Sequence, residues 1–424
     1  MHAAIVLLVL VLTYLGMMAG RIAWLRVDRT GIALLAVIAL LASGQMTLDD
    51  FGSAVDMPTL ALLFAMMIIS AQFAESGFID LCARTITGWG GGTAGLLAIT
   101  VAIGGTLSAV LANDILIVTI APLLIAGAQR RGFDPRPFAI ALAAATNAGS
   151  AATLIGNPQN IILGAMGHLG FWNFLRINGV PALFALIVVF GVVWLQWRRR
   201  IRDAIPPEGR EPPPVTVHPI DRNQMIKGVV ALFALLLLFS TRLPRETGAL
   251  IIAALLLANR KITSRTMIAA VDWPLLLLVS CLFAVTGALN DAGIAAKVLG
   301  FLDDYGLLPN NLLLLVPFAA VTSNMIGSVP AAMLLLQIWP TPPAGVLYAL
   351  ALLSTLAGNF LLSGSLTNLL IAEQAERIGV RFGFADHARA GVPIALLSLA
   401  FAVLWLALTH ILPVLPHPAG AGQP

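Results

Sequence analysis

The chain has 424 residues, of which 59% are hydrophobic and only 10% charged, less than half the roughly 25% charge of an ordinary soluble domain. That composition excludes a water-soluble domain and points to an all-α polytopic membrane protein. The formal net charge of +4 marks no nucleic-acid partner here; its meaning depends on which loops hold the basic residues.

The opening run "MHAAIVLLVLVLTYLGMMAG" has no Lys or Arg before it, while Arg21, Arg26 and Arg29 follow. It reads as an uncleaved first span with its N-terminus outside, not as a signal peptide. A span needs roughly 20 helical residues to cross the hydrocarbon; the apolar runs near 3–20, 57–74, 180–197, 225–240, 272–290 and 391–410 approach that length, and shorter runs lie at 31–44 and 247–258. Between them, 94–129, 137–167, 307–339 and 343–374 are apolar in bulk but interrupted by Gly, Pro, Asn and Ser. Residues 94–129 fit either a re-entrant hairpin or two full spans. "HLGFWNFLR" (168–176) reads as an interfacial amphipathic stretch with an aromatic anchor.

A basic, Pro-rich linker, 198–223, separates a first repeat, 1–197, from a second, 224–412, followed by a tail, 413–424. Both halves run in the same order: span, short span, full span, broken hairpin, broken span, closing span. "TLIGNPQN" in the first matches "LLSGSLTN" in the second, and "GVP" opens each closing span. With the N-terminus outside, nineteen of the 24 Lys and Arg fall in cytoplasmic loops, and each half makes an odd number of crossings. The expectation is two inverted-topology repeats totalling about 10–12 membrane segments, with both termini outside.

The interruptions carry the chemistry. At membrane depth an unwound backbone survives only inside protein or along a polar cavity, and breaking a helix there leaves N–H groups that attract anions and carbonyls that coordinate cations. "NAGSAATLIGNPQN" (147–160) and "GNFLLSGSLTN" (358–368) are such breaks. The hairpins add "LANDI" (111–115) and "TSNMIGS" (322–328), in which Asn113 and Asn324 hold similar places. The side-chain donors and acceptors that the breaks and hairpin turns supply include Asn113, Asn157, Asn160, Asn324, Ser363, Ser365 and Asn368, candidates for holding a substrate; Asp114, Asn147 and Asn359 are the candidates for cation coupling. A carboxylate at position 114 is costly to bury unless functional or near water. Glu75 and Glu373 are weaker coupling candidates. No Lys or Arg falls in the centre of a predicted span, so an anion would be held by helix N-termini, amides and hydroxyls. Cys82 and Cys281 and the six histidines show no metal spacing, the histidines falling in loops, at span ends or in tails; no paired-acid or nucleophile–base set suggests an enzyme.

Together "TLIGNPQN", "LLSGSLTN", "ANDILIVTIAPLL" and the two "GVP" motifs resemble the ion transporter superfamily, specifically its arsenite-permease, sodium/proton-antiporter, citrate and divalent-anion families, over about residues 20–410. The resemblance implies re-entrant hairpins, a site between hairpin tips and broken helices, elevator-like movement and often a homodimer; by motif it implies a substrate-binding region on Asn113, Gly156, Asn157, Pro158, Asn160, Ser323, Asn324, Ser363, Gly364, Ser365 and Asn368, with Asp114 beside it. Asn157 stands where many relatives carry an aspartate. The expected function is a secondary transporter of a small anion in the plasma (inner) membrane, driven by sodium or protons, with no cofactor beyond a candidate sodium ion. The alternatives are arsenite or antimonite efflux, sodium/proton antiport and, from another class, a passive channel.

Overall fold

The computed structural model of the protein describes residues 2–19, 27–199, 219–241, 243–380 and 383–415. Most of the linker, the end of the tail, and Arg21, Arg26, Arg200, Arg202, Arg210, Arg242 and Arg381 lie outside the described residues.

The described residues form helices joined by turns. The first half holds α1 (His2–Ala19), α2 (Arg29–Ala42), α3 (Leu48–Ala54), α4 (Met57–Glu75), α5 (Phe78–Gly88), α6 (Gly92–Ser108), α7 (Asn113–Arg130), α8 (Arg136–Ser150), α9 (Pro158–Met166) and α10 (Phe171–Trp197). The second holds α11 (Arg222–Leu238), α12 (Arg245–Leu257), α13 (Ser264–Ala269), α14 (Trp273–Asp291), α15 (Ile294–Asp304), α16 (Leu312–Met325), α17 (Ser328–Ile338), α18 (Ala344–Ala357), α19 (Leu366–Arg377) and α20 (Phe384–Leu408), with one 3₁₀ turn at Leu362–Gly364. α4, α10, α14 and α20 are long and apolar enough to cross a membrane, and six shorter helices are apolar.

Each helix of the first half has a counterpart ten places later, and the local chemistry repeats. Threonines cap α3 and α13, Thr47 and Thr263. Aspartates cap α4 and α14, Asp56 in "AVDMP" and Asp272 in "AVDWP". Left-handed glycines precede α5 and α15, Gly77 at φ 75° and Gly293 at φ 66°, a conformation in which a Cβ is strained. Each of these pairs is separated by 216 residues.

Hairpins and closing helices define the frame of the site. α6 and α7 are joined by residues 109–112, α16 and α17 by 326–327. At 14 and 11 residues, the second pair is too short for two full crossings of about 20 residues each. The closing helices begin earlier than their apolar runs suggest. α10 starts at Phe171, so 171–176 are its first turns rather than a separate interfacial stretch, with the Trp172 indole donating to the Ser240 hydroxyl at 2.7 Å. α20 starts at Phe384, where the Gly383 N–H donates to the Asp386 carboxylate.

Pro181 and Pro393 lie inside these helices, and a proline leaves the carbonyl four residues earlier without its helical donor. Each freed carbonyl is taken by the other closing helix. The Trp405 indole donates to the Ile177 carbonyl at 2.9 Å, and the Gln196 amide to the Arg389 carbonyl at 2.8 Å. Phe184 and Phe401 stack between them, 3.9 Å centroid to centroid.

The breaks close in the same way in both halves. The Asn160 side-chain NH₂ donates to the carbonyls of Ser150 (3.0 Å) and Thr153 (2.8 Å), ten and seven residues earlier. The Asn368 NH₂ donates to those of Gly358 (2.9 Å) and Leu361 (3.0 Å), at the same two offsets. Gly156 and Gly364 pass so close to the Ser150 and Gly358 carbonyls that a Cβ at either would overlap them. The restarting helices are capped by side chains: Asn157 accepts from the Asn160 N–H, Ser365 from the Thr367 N–H. The expectation of unpaired backbone at the breaks is thus corrected for these groups. In lipid an orphan carbonyl is costly, and each half supplies an asparagine to satisfy two.

Replacing Asn160 or Asn368 by alanine strands the Ser150 or Gly358 carbonyl, at about 1–3 kcal/mol for an unsatisfied group, while the Thr153 and Leu361 carbonyls keep the N–H groups of Gly156 and Gly364. Each variant is expected to melt several degrees lower in detergent, by similar amounts; a loss in one half only would disprove the equivalence. At Gly149 a Cβ would overlap the Gly105 backbone, where α8 crosses α6, whereas Gly191 meets nothing within 4 Å. Gly149→Ala is therefore expected to cost about 1–3 kcal/mol or more and Gly191→Ala close to nothing, by the same melting measurement.

Candidate functional site: a pocket at the first break

A pocket of about 170 Å³ opens where the first hairpin turn and the first break face α4 and the start of α14. Asn113, Asp114, Gly156, Asn157 and Pro158 line it, five of the residues singled out in the sequence. Two polar residues the sequence reading missed line it too, Ser70 and Asp272. The Ser70 hydroxyl accepts from the Ala112 N–H at 2.9 Å and so docks the hairpin turn onto α4. Asp272 caps α14 by accepting from the Leu275 N–H at 3.0 Å, leaving carboxylate capacity toward the cavity. Two acidic side chains, one on the hairpin and one on α14, thus share a small pocket whose wall contains no Lys or Arg. Like charges so placed repel strongly in a low dielectric, and a cation or a proton relieves the repulsion.

The remaining candidates gather around the second break, deeper in the protein. Asn147, Asn359 and Asn368 are buried and joined directly: the Asn147 NH₂ donates to the Asn359 amide oxygen at 2.8 Å and the Asn368 amide oxygen at 3.2 Å, while the Ser365 hydroxyl donates to the Asn147 oxygen at 2.9 Å. This network ties α8 to the second break. The two sets meet through Asn157, whose NH₂ donates to the Thr355 hydroxyl of α18 at 3.2 Å, and through Gln159, which donates to the Ser354 hydroxyl.

Asn113 and Asn324 prove to stand on opposite limbs of their hairpins. Asn113 opens α7, its amide oxygen accepting from the Ser108 hydroxyl at 2.8 Å. Asn324 lies in the last turn of α16 and donates to the carbonyls of Ala320 and Ala357, both at 2.9 Å. Matching by residue type had paired them; the helix boundaries separate them. A Cβ on Gly364 would overlap the Asn324 amide oxygen, so glycine there lets hairpin and break meet. Two side-chain oxygens, Asn160 Oδ1 and Asn324 Oδ1, are buried with no donor, one in each half. Ser323 is buried and donates to its own helix at Ala319; Ser363 is exposed.

One weaker reading changes. His387 is not at an exposed span end: it is fully buried inside α20, its Nε2 3.2 Å from the Asn359 carbonyl oxygen and its Nδ1 without a partner. The apolar run from 391 hid it, because the helix starts before that run. Glu373 is exposed and accepts from Arg377 at 2.8 Å, one turn along α19. Among the described residues no group of three or more His, Cys, Asp or Glu could hold a metal ion.

The chain is 30% identical over 162 residues to the silicon efflux transporter LSI3 of Oryza sativa subsp. japonica, covering 38% of this chain and 33% of that one. It is 34% identical over 195 residues to the P protein of Homo sapiens, covering 43% and 23%. It thus spans a third or less of the length of these relatives. An uncharacterized transporter of Mycobacterium tuberculosis matches nearly end to end, 27% identical over 418 residues, with 91% and 95% covered. Among solved structures, the Alcanivorax borkumensis YdaH transporter superposes with a TM-score of 0.59 at 16% identity over 92% of this chain and 91% of that one. MtrF of Neisseria gonorrhoeae gives 0.59 at 15%, over 92% and 87%. The first is described as a transporter of unusual topology and the second as one of a class of antimetabolite efflux pumps; at this identity they speak for the fold alone. Residues 14–340 match the family model described as citrate transporter, CitMHS; spanning most of the chain, that match places this multi-pass membrane protein in the CitMHS citrate transporter family.

Proposed function

We propose that this chain is a secondary active transporter of a small anion, inorganic or organic, coupled to a sodium or proton gradient across the plasma (inner) membrane, with its N-terminus outside and its two halves in opposite orientation. The observation that carries the reading is the pocket shared by Asp114 of the first hairpin and Asp272 of α14, beside a helix broken inside the protein. Its physics orders the binding events. Two carboxylates facing one cavity repel an incoming anion; once a sodium ion or a proton neutralises them, the amides of Asn113 and Asn157 and the Ser70 hydroxyl can receive an oxyanion or carboxylate. Cation first and anion second is a coupling rule, because the loaded site differs in charge from the empty one.

The acidic pair also favours a second reading, sodium/proton exchange without an anion, since two interacting carboxylates can trade a proton for a metal ion. Efflux of arsenite or antimonite is a third member of the same class, for which a wall without cations suits an uncharged oxyacid.

Thermal stabilisation of the purified protein separates these readings, because a ligand bound to the native state raises its melting temperature. The panel is arsenite, sulfate, phosphate, citrate and succinate, each with sodium or potassium at two pH values. Cation-dependent stabilisation by one anion is expected, and its dependence on the cation is expected to vanish in Asp114→Asn with Asp272→Asn, which neutralises both carboxylates. Sodium responding alone, in a pH-dependent way, would move the assignment to exchange. Stabilisation by an anion that ignores both sodium and pH would overturn the coupling.

A further inference from the structure

The two arginines that open equivalent helices are used unequally. Arg29 begins α2 and Arg245 begins α12, 216 residues apart like the capping pairs. The Arg29 guanidinium lies against the turn of the second hairpin: a Cβ on Gly327 would stand 2.8 Å from one of its terminal nitrogens and 3.5 Å from its central carbon. Gly327 is buried at φ 96°, a backbone conformation that favours glycine, and the guanidinium packs against it where a Cβ would push its tip aside. Arg29 has no carboxylate partner among the described residues. It stands instead near the end of α16, where the last carbonyls of a helix favour a cation. Arg245 reaches a different object, the carbonyl of Gly164 at 3.5 Å, the seventh residue of α9.

Equal use of the halves would require other contacts. Arg29 would meet Ala372, the seventh residue of α19, as Arg245 meets Gly164. Arg245 would meet Ala112, which precedes α7 as Gly327 precedes α17. Neither pairing is present among the described residues. The aspartates repeat the inequality: Asp272 shares the pocket with the first hairpin turn, while its equivalent Asp56 does not line that pocket and caps α4 at Thr59. Both hairpin turns therefore lie toward one end of the frame, the end where α2 and α14 begin side by side, with the Thr30 hydroxyl donating to the Pro274 carbonyl at 3.3 Å.

Two equivalent halves set in opposite orientation have two end states that exchange the surroundings of the halves. We propose that Arg29 and Arg245 are paired positioning residues of the transport cycle. In the conformation described here Arg29 holds the turn of the second hairpin and Arg245 holds α9. In the opposite-facing conformation Arg245 takes the turn of the first hairpin at Ala112, and Arg29 passes to the Ala372 carbonyl. Arginine suits such an exchange, because its charge is permanent and its several donors can grip backbone carbonyls from more than one direction. The inference rests on the transporter reading, and its test does not require a known substrate.

In full-length protein with Cys82→Ser and Cys281→Ser, reconstituted in lipid vesicles, two cysteine pairs report the two states: Arg29→Cys with Ser328→Cys, and Arg245→Cys with Ala112→Cys. A reducible thiol-to-thiol linker about as long as an arginine side chain is expected to join both pairs, each in its own conformation. Either bridge is expected to stop the uptake of whichever panel anion the unbridged double-cysteine protein still carries, and reduction to return uptake to that protein's own, already lowered, level. In the Arg245/Ala112 cysteine protein, Arg29→Gln is expected to raise the cross-linking rate about threefold or more by releasing the present state, and Arg29→Lys to change it little. A purely structural Arg29 would not shift that rate. Cross-linking of the first pair alone, of neither pair, an unchanged rate in Arg29→Gln, or transport that continues through a bridge would each overturn the proposal. If no panel anion is carried while both pairs still cross-link and respond to Arg29→Gln, the substrate assignment fails and the exchange of partners stands.

Discussion

A helix that ends inside a membrane must satisfy the carbonyls it strands, and the protein meets this constraint with one asparagine per half. Asn160 and Asn368 each reach back seven and ten residues to the two carbonyls their own break sets free. Much else depends on that closure. The backbone must fold back on itself, which demands glycine at 156 and 364; the restarting helix needs its own cap, supplied by Asn157 and Ser365. An amide serves where a carboxylate would not, since only the NH₂ can donate to two carbonyls. The break is therefore complete without a ligand, and binding does not have to make up for missing backbone bonds.

This closure divides labour within the site. The second break is locked into the buried amide network of Asn147, Asn359 and Asn368, which joins the halves through neutral groups. The first break opens instead onto a pocket containing both acidic side chains. Both carboxylates thus share one cavity, where the hairpin turn and α14 meet and where a change in ionisation acts directly on how strongly those elements attract or repel. The neutral network can hold its geometry whatever the state of Asp114 and Asp272.

Features whose cause is local in the chain were readable from residues alone. The breaks, the glycines at 156 and 364, and the asparagines at 160 and 368 stand within a dozen positions of everything they close, so spacing and residue type sufficed. The repeated "AVDMP" and "AVDWP" were equally visible, but they lie outside the broken segments from which the duplication was inferred. Asp272 escaped because its relation to Asp114 spans 158 residues of sequence and exists only once the fold brings the first hairpin to α14. His387 and Arg29 escaped for a shared reason. Each is a polar residue just ahead of an apolar run, a position that reads as an interface, whereas α20 starts three residues before His387 and the long side chain of Arg29 reaches a turn nearly three hundred residues away. Asn113 and Asn324 show the opposite error: likeness of residue and setting suggested equivalence, which the limbs of the two hairpins refute.

The places where the two halves are alike and where they differ carry mechanical information. The closing helices bind each other through matched bonds, Trp405 to Ile177 and Gln196 to Arg389, and both exist at once. The breaks likewise close by the same offsets in both halves. Contacts that are equal in the two halves need not change when the halves exchange surroundings, so they can hold one body together throughout a cycle. The unequal contacts of Arg29, Arg245 and Asp272 join that body to α2, α12 and α14, while Asp56 caps only its own helix, α4. These unequal contacts share a surface with the acidic pocket, the surface on which the proposed exchange would convert each contact into its counterpart. A cation or proton that changes the charge of the pocket therefore acts where the two bodies meet, with no need to transmit its effect through the buried amides behind it.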